Sequence, residues 1–274
     1  LLALFFMKKV ILITGASSGI GKSIGNYLTE NGHTVYGTSR NPNKYPKSQF
    51  TLVKSDVKKI SDINDLINYV KINEGKIDVL INNAGIGYTG PIEESKIQDI
   101  ESLFSTNFFG PIEMIKKTLP LMRENNGGLI INITSIAGYI GLPFRGIFCA
   151  SKSALEILTE SLRTEIKDHG IKVVNVAPGD VKTDVVSRRI DSFNDRNSIY
   201  FKKYYKTWKG MNEDVEVGGI DPIKVSKLIL KIINKKNPKI HYVVGKPLQK
   251  FSIILKKILP DLVFEKILNK CNGL

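Results

Sequence analysis

Lys9-Val10-Ile11-Leu12-Ile13-Thr14-Gly15-Ala16-Ser17-Ser18-Gly19-Ile20-Gly21 runs from a continuous apolar segment straight into a glycine cluster. The first half reads as a strand buried on both faces. Residues 20–30 read as the helix that follows, closed by Asn31-Gly32. Between them Gly15 can supply a tight turn, Gly19 a close backbone approach and Gly21 close packing of helix on sheet. The exposed N–H groups around Ser17, Ser18, Gly19 and Ile20 then face an anion. The spacing is G-x-x-x-G-x-G rather than the commoner G-x-G-x-x-G. Its strand–turn–helix setting points to the pyrophosphate of a dinucleotide.

Working outward, short β-type runs alternate with longer amphipathic stretches. Strands are predicted at 33–39, 50–55, 78–82, 129–134, 171–177 and 240–244. Helices are predicted at 61–73, 96–124, 148–169 and 222–234, the second broken near Gly110-Pro111 and Pro120. This alternation predicts an α/β fold: one Rossmann-type domain over residues 7–246, a doubly wound parallel sheet with helices on both faces. Residues 185–218 are polar, aromatic and weakly periodic, and are expected to form a substrate lid.

Composition excludes several classes. Apolar residues make up 42 % of 274, too many for a disordered chain, and two cysteines cannot make a disulfide scaffold. They suggest a reducing compartment, and a cytoplasmic protein is expected. No apolar run reaches the roughly 18 residues of a membrane span, and no cluster suggests a metal. The net charge is +14. From Tyr200 to Leu274 there are 16 Lys and no Arg against 6 acids, a balance of 16 − 6 = +10. With no arginine forks there, nucleic acid is not expected as a partner. Residues 1–6 are apolar and precede Met7-Lys8-Lys9, the reverse of a secretory signal. Met7 is read as the natural start, with residues 1–6 an added or upstream piece.

The second strand should deliver the residue that meets the adenosine ribose. An acid there suits the 2′-hydroxyl of NAD, a cation the 2′-phosphate of NADP. The chain has Thr38-Ser39-Arg40 and no acid, which predicts NADP(H) held through Ser39 and Arg40.

Taken in order, Thr14 to Gly21, Asp56-Val57, Asn82-Asn83-Ala84-Gly85, Asn107, Ser135, Lys152 and Pro178-Gly179-Asp180-Val181-Lys182-Thr183 resemble the short-chain dehydrogenase/reductase family. The likeness covers nearly all of residues 8–185. It implies a nicotinamide cofactor and interconversion of alcohols and carbonyls. By the same resemblance Asp56 and Val57 contact adenine, and Asn83, Ala84 and Gly85 wall the adenosine ribose. Lys152 binds the nicotinamide ribose, and Pro178, Gly179, Val181 and Thr183 contact the nicotinamide and phosphates. Ser135 hydrogen-bonds the substrate oxygen. Asn107 helps hold a water linking Lys152 to solvent. Members often pair through the helices at 96–124 and 148–169, so a homodimer or tetramer is expected.

One residue departs from the family pattern. Its catalytic Tyr lies four residues before the Lys, and here that position is Phe148, 13 residues after Ser135 as the register requires. Phe keeps the ring and loses the proton that a phenol gives to a developing alkoxide. The chain should bind cofactor and substrate and turn over very slowly. Two origins compete: a deliberate Tyr-to-Phe exchange that traps a complex, or a natural enzyme-like chain without activity. The first is favoured, because Ser135, Lys152 and Asn107 are all retained. Tyr139 is expected to line the loop after Ser135 rather than replace the acid. Cys149 is expected in the core.

Substrate identity should come from residues 136–145, with Ile136, Tyr139, Ile140, Leu142 and Phe144, and from the lid, with Val185, Val186, Phe193, Tyr204 and Trp208. Such a lining suits a hydrophobic ketone or alcohol of the steroid, retinoid or long-chain lipid kind. The alternative is that the aromatics pack the lid onto the body. Residues 247–274 read as a basic amphipathic helix pair interrupted at Pro260. They could cap the site, meet a sister subunit or touch a membrane surface, and they resemble extensions of steroid- and retinol-type family members. The reading is an NADP(H)-dependent oxidoreductase of hydrophobic ketones. Its rivals are a 3-oxoacyl-thioester reductase and a non-catalytic NADP-binding regulatory protein.

Overall fold

The structure, a computed structural model, describes residues 8–274 apart from 46, 185–187 and 194. The reading of Met7 and residues 1–6, and the lid residues Val185 and Val186, lie outside the described residues.

Among the described residues seven strands form one parallel sheet. In chain order they are β1 (Val10–Ile13), β2 (Thr34–Ser39), β3 (Thr51–Lys54), β4 (Val79–Asn82), β6 (Gly128–Ile133), β7 (Ile171–Pro178) and β9 (His241–Val244). The spatial order is β3-β2-β1-β4-β6-β7-β9. A pair of two-residue strands, β5 (Tyr88–Thr89) and β8 (Ile190–Asp191), stands apart. The order reverses between β1 and β4, and the glycine turn after β1 lies at that switch point.

Side chains alternate across β1, so its four apolar residues feed two cores. Ile11 and Ile13 meet Ile24 and Leu28 of α1 (Gly19–Glu30) and Val225 and Ile229 of α7 (Pro222–Ile233). Val10 and Leu12 meet Ile63, Leu66 and Val70 of α2 (Ile60–Glu74) and Met114 and Met122 of α4 (Gly110–Glu124). Burial on both faces explains the unbroken apolar run. α7 begins as its sequence requires, with Asp221 capping the N–H of Ile223 at 2.8 Å and Pro222 following.

The expected break at Gly110-Pro111 is a widened turn. α3 (Ile97–Phe104) passes through a π-helical turn, Ser105–Phe109, directly into α4. The wider turn gives the Pro111 ring the room that regular helix denies it. Pro120 does not break the helix, a correction to the sequence reading. It lies on the exposed side of α4, so the helix bond it removes is not lost in the core.

The lid stretch also differs from expectation, since it contains β8 and a 16-residue helix, α6 (Phe201–Glu216). Its aromatics stack on one another and on the body: Phe193 lies 4.6 Å from Tyr204 and Phe144 lies 5.4 Å from Tyr204. The tail forms two helices, α8 (Pro247–Ile258) and α9 (Asp261–Cys271), parted at Pro260.

A polar seam crosses the sheet at one level. The register aligns Asn82, Asn132, Asn175 and His241 across four strands. Asn82 donates to Asn132 at 2.9 Å, and Asn132 donates at 2.8 Å to Thr159 of α5 (Gly146–Glu165). Thr159 Oγ1 lies 2.8 Å from Asn175 Oδ1. Buried polar partners are directional, so the seam fixes α5 on the strands. Lys152 lies seven residues before Thr159, two turns along the same face, and is positioned with it.

Candidate active site

The glycine turn is held from three sides. Gly15 has φ +66°, and a Cβ there would stand 2.8 Å from Ala84 Cα. Its N–H donates to Thr38 Oγ1 at 3.0 Å. Asn83 donates through Nδ2 to the carbonyls of Thr14 and Gly15, at 2.9 and 3.0 Å. The Asn83 amide is therefore spent on holding the turn. A Cβ on Gly21 would stand 2.4 Å from Asn83 Nδ2 and 2.5 Å from the Gly15 carbonyl. Gly21→Ala is therefore expected to lower stability by about 1–3 kcal/mol through overpacking. Thermal unfolding measures this, and an unchanged midpoint would mean that the turn is loosely held.

Gly19 faces the loop after β7. A Cβ on it would come 3.3 Å from Thr183 Cγ2, so the helix start and Thr183 flank one narrow gap. Arg188 donates to Ser18 Oγ across that gap and pairs with Asp184 at 2.9 Å. Pro178 ends β7, Gly179 N–H donates to Val244 at 2.8 Å, and Val181 bridges to Ile220. Ile20 is partly buried and packs against the core cluster beneath α1.

Beside the turn lies a cavity of about 250 Å³ lined by Ala16, Ser17, Lys22, Lys44, Tyr45 and Lys47, among others. Ser39 is buried and accepts from Asn41 N–H at 3.2 Å, whereas Arg40 is exposed at the strand end. Val57 is buried against Gly110. Asp56 Oδ1 accepts from Lys58 N–H at 3.0 Å, a turn that leaves its side chain half-buried.

The remaining residues gather at the carboxyl ends of β4 and β6. Lys152 is 6 % exposed, its Nζ donates to the Ile133 carbonyl at 3.1 Å, and burial lowers its pKa to about 8. Its Nζ lies 6.0 Å from the centre of the Phe148 ring, a cation–π distance. Asn107 sits in the π turn, where Oδ1 accepts from Ile86 N–H at 2.9 Å and Nδ2 donates to the Ile86 carbonyl at 3.0 Å. Its amide thus serves to hold the segment that carries Gly85. A Cβ on Gly85 would lie 3.4 Å from both Asn107 Oδ1 and Lys152 Nζ, so the three meet at one point. Ser135 Oγ accepts from Ala137 N–H at 3.1 Å, which leaves its own proton free to donate.

Tyr139 is committed elsewhere. Its hydroxyl donates to Glu156 at 2.7 Å and lies 3.1 Å from His241 Nδ1. Burial and the Glu156 carboxylate push its pKa far above the ordinary phenol value. Glu156 also accepts from Thr134, and burial raises its own pKa. Cys149 is buried, and that burial pushes its thiol pKa up, as suits a core residue.

Sequence reasoning missed Lys22, Lys44, Lys47 and Gln249. The lysines carry no motif. Gln249 Oε1 fills the space that a Cβ on Gly179 would need, and its Nε2 donates to Asp180. No periodicity signals a contact between segments this far apart in the chain.

The glycine turn at the reversal of the sheet, with Ser135 and Lys152 at the strand ends, is the layout of an oxidoreductase built round a nicotinamide dinucleotide. The chain belongs to the short chain dehydrogenase family, whose model matches residues 9–192. It is 39 % identical to a 3-ketodihydrosphingosine reductase of Bacteroides thetaiotaomicron over 254 residues, 92 % of this chain and 94 % of the relative. Among solved structures it resembles a short chain dehydrogenase/reductase of Burkholderia phymatum in complex with NAD, with TM-score 0.79 and 22 % identity over 91 % of this chain and 93 % of that one. It also resembles ElxO with NADP bound, with TM-score 0.70 and 30 % identity over 87 % and 96 % of the two chains. Among the described residues no helix is long and apolar enough to cross a membrane, and no group of side chains could hold a metal ion.

Proposed function

We propose that this oxidoreductase uses NADP(H) and acts on a hydrophobic, long-chain ketone or its alcohol, with turnover held back by Phe148. The observation that carries the proposal is the Phe148 ring beside Lys152 Nζ, in a site that otherwise keeps Ser135, Asn107 and Lys152. The bound nicotinamide supplies or accepts hydride. Ser135 donates a hydrogen bond to the substrate oxygen and orients the carbonyl. Lys152 holds a cation near that oxygen and near the nicotinamide ribose. Position 148 should then deliver the proton, and a phenyl ring cannot. Slow turnover follows from that single missing group, and Phe148→Tyr, assayed with NADPH against lipophilic ketones, tests it.

The preference for NADP rests on charge. Arg40 stands at the end of β2, and Lys22, Lys44 and Lys47 line the cavity beside the glycine turn, with no acid among its described lining residues. A 2′-phosphate placed there meets cations rather than a carboxylate. Arg40→Ala is expected to weaken NADPH by about tenfold, as loss of one charged hydrogen bond would, and to leave NADH nearly unchanged. Equal effects in a fluorescence titration would overturn the preference. A long-chain ketone is supported by the sphingoid ketone named for the Bacteroides relative, whereas the apolar residues Ile136 and Ile140 after Ser135 are taken up in packing the tail helices.

A further inference from the structure

The tail helices are two-sided. One side of α8 is docked: Ile253, Leu255 and Leu259 pack with Phe264 and Leu268 of α9 against Ile136, Ile140 and Val243. Gln249 anchors the first turn on Asp180, and Thr207 of α6 donates to the Asn272 carbonyl at the far end at 3.3 Å. The hairpin is therefore a seated part of the fold. The outward arc of α8 carries Leu248, Phe251, Ile254 and Ile258, spaced three, three and four residues apart, which puts them in one stripe. They are 72, 49, 53 and 67 % exposed. On α9, Val263 and Ile267 are exposed as well. Single exposed apolar residues need no explanation, but a continuous stripe of them does.

Charge selects what covers the stripe. Lys250 and Lys257 flank it on α8, and Lys266 and Lys270 share the exposed side of α9. Among the described residues no carboxylate pairs with any of the four, whereas Lys256 is taken by Asp261 at 2.6 Å. A second copy docking by two-fold symmetry would set these lysines against their own counterparts. An apolar stripe edged with free lysines is complementary to a bilayer surface with anionic headgroups.

We infer that α8 and α9 form a docking face for an anionic lipid bilayer, with the α8 stripe lying in the headgroup boundary and the lysines on the phosphates. The inference concerns binding alone and does not depend on the reaction assigned above. The test is flotation of the full chain with vesicles of one-third phosphatidylglycerol in phosphatidylcholine, beside vesicles of phosphatidylcholine only. Comparison chains carry Phe251→Ser with Ile254→Ser, or Lys250→Glu with Lys257→Glu. Circular dichroism and thermal unfolding check that both remain folded. The parent should float with the anionic vesicles and be released by high salt, and each double variant should lower the bound fraction by about tenfold or more. Failure of the parent to float overturns the inference. So does a dimer in sedimentation that Phe251→Ser with Ile254→Ser dissociates, because the stripe would then belong to a second copy.

Discussion

Phe148→Tyr is expected to raise the rate of ketone reduction by about 10²–10⁴, the range that a positioned general acid supplies. The substitution adds one oxygen to a ring already in register, 13 residues after Ser135 and four before Lys152. The half-buried ring stands 6.0 Å from Lys152 Nζ, so a hydroxyl on it would enter a field that favours the phenolate. A cation at that range lowers a phenol pKa toward working pH, which is the condition for efficient proton transfer. The gain should appear in kcat, with KM nearly unchanged, because the proton is needed only as the alkoxide forms. Steady-state oxidation of NADPH with a panel of long-chain ketones measures it. No gain on any of them, with cofactor still bound, would favour the non-catalytic NADP-binding reading.

The outcome also separates this site from one that has found another acid. Tyr139 is the nearest other phenol in the sequence, but its hydroxyl is held by Glu156 and His241. Burial and that carboxylate both hold its proton in place. A chain relying on Tyr139 would lose turnover on Tyr139→Phe. The geometry predicts instead that this variant disturbs only the packing of the hairpin and β9.

How much of this was legible in the sequence follows from the range of each interaction. The glycine turn, β1 and α7 are written locally: an apolar run, a glycine spacing, an Asp-Pro start. Their positions came out within a residue or two of the structure. The order of Ser135, Phe148 and Lys152 was equally legible, because α5 and the loop before it carry all three. The lid helix was not. Tyr204 is buried against Phe193 and Phe144, contacts from other parts of the chain, so its apolar face shows no clean period. Pro120 misled for a related reason, since sequence cannot say that its side of α4 faces water. The polar seam from Asn82 to His241 and the wedge of Gln249 on Gly179 were out of reach, because strand register brings those residues together from distant segments. The hydrogen bonds of Asn83 were out of reach for the same reason. Its amide partners are Thr14 and Gly15, which neighbour it only once β1 and β4 are paired.

In the Phe148→Tyr background, Lys152→Met is expected to abolish most of the restored activity and to change the pH dependence of stability. The first effect follows from removal of the cation that tunes the phenol, about 10²-fold or more of the rate that general acid catalysis provides. The second follows from burial. Lys152 is enclosed with its Nζ on one carbonyl, and its pKa falls from the usual 10.5 to about 8. Below pH 8 both the folded and the unfolded chain carry this proton, and the cost of burying the charge, about 3 kcal/mol, is fully present. Between about pH 8 and 10.5 the unfolded chain binds the proton and the folded chain does not, so this residue's contribution to stability rises with pH. A methionine side chain fills a similar volume with no charge to bury. Denaturant unfolding of both chains at pH 7 and pH 10 should show the Lys152 chain gaining on the Lys152→Met variant by about 1–3 kcal/mol as pH rises. Parallel pH profiles would mean that Lys152 reaches solvent in the folded state, and the cation would then be too well hydrated to activate a phenol at position 148.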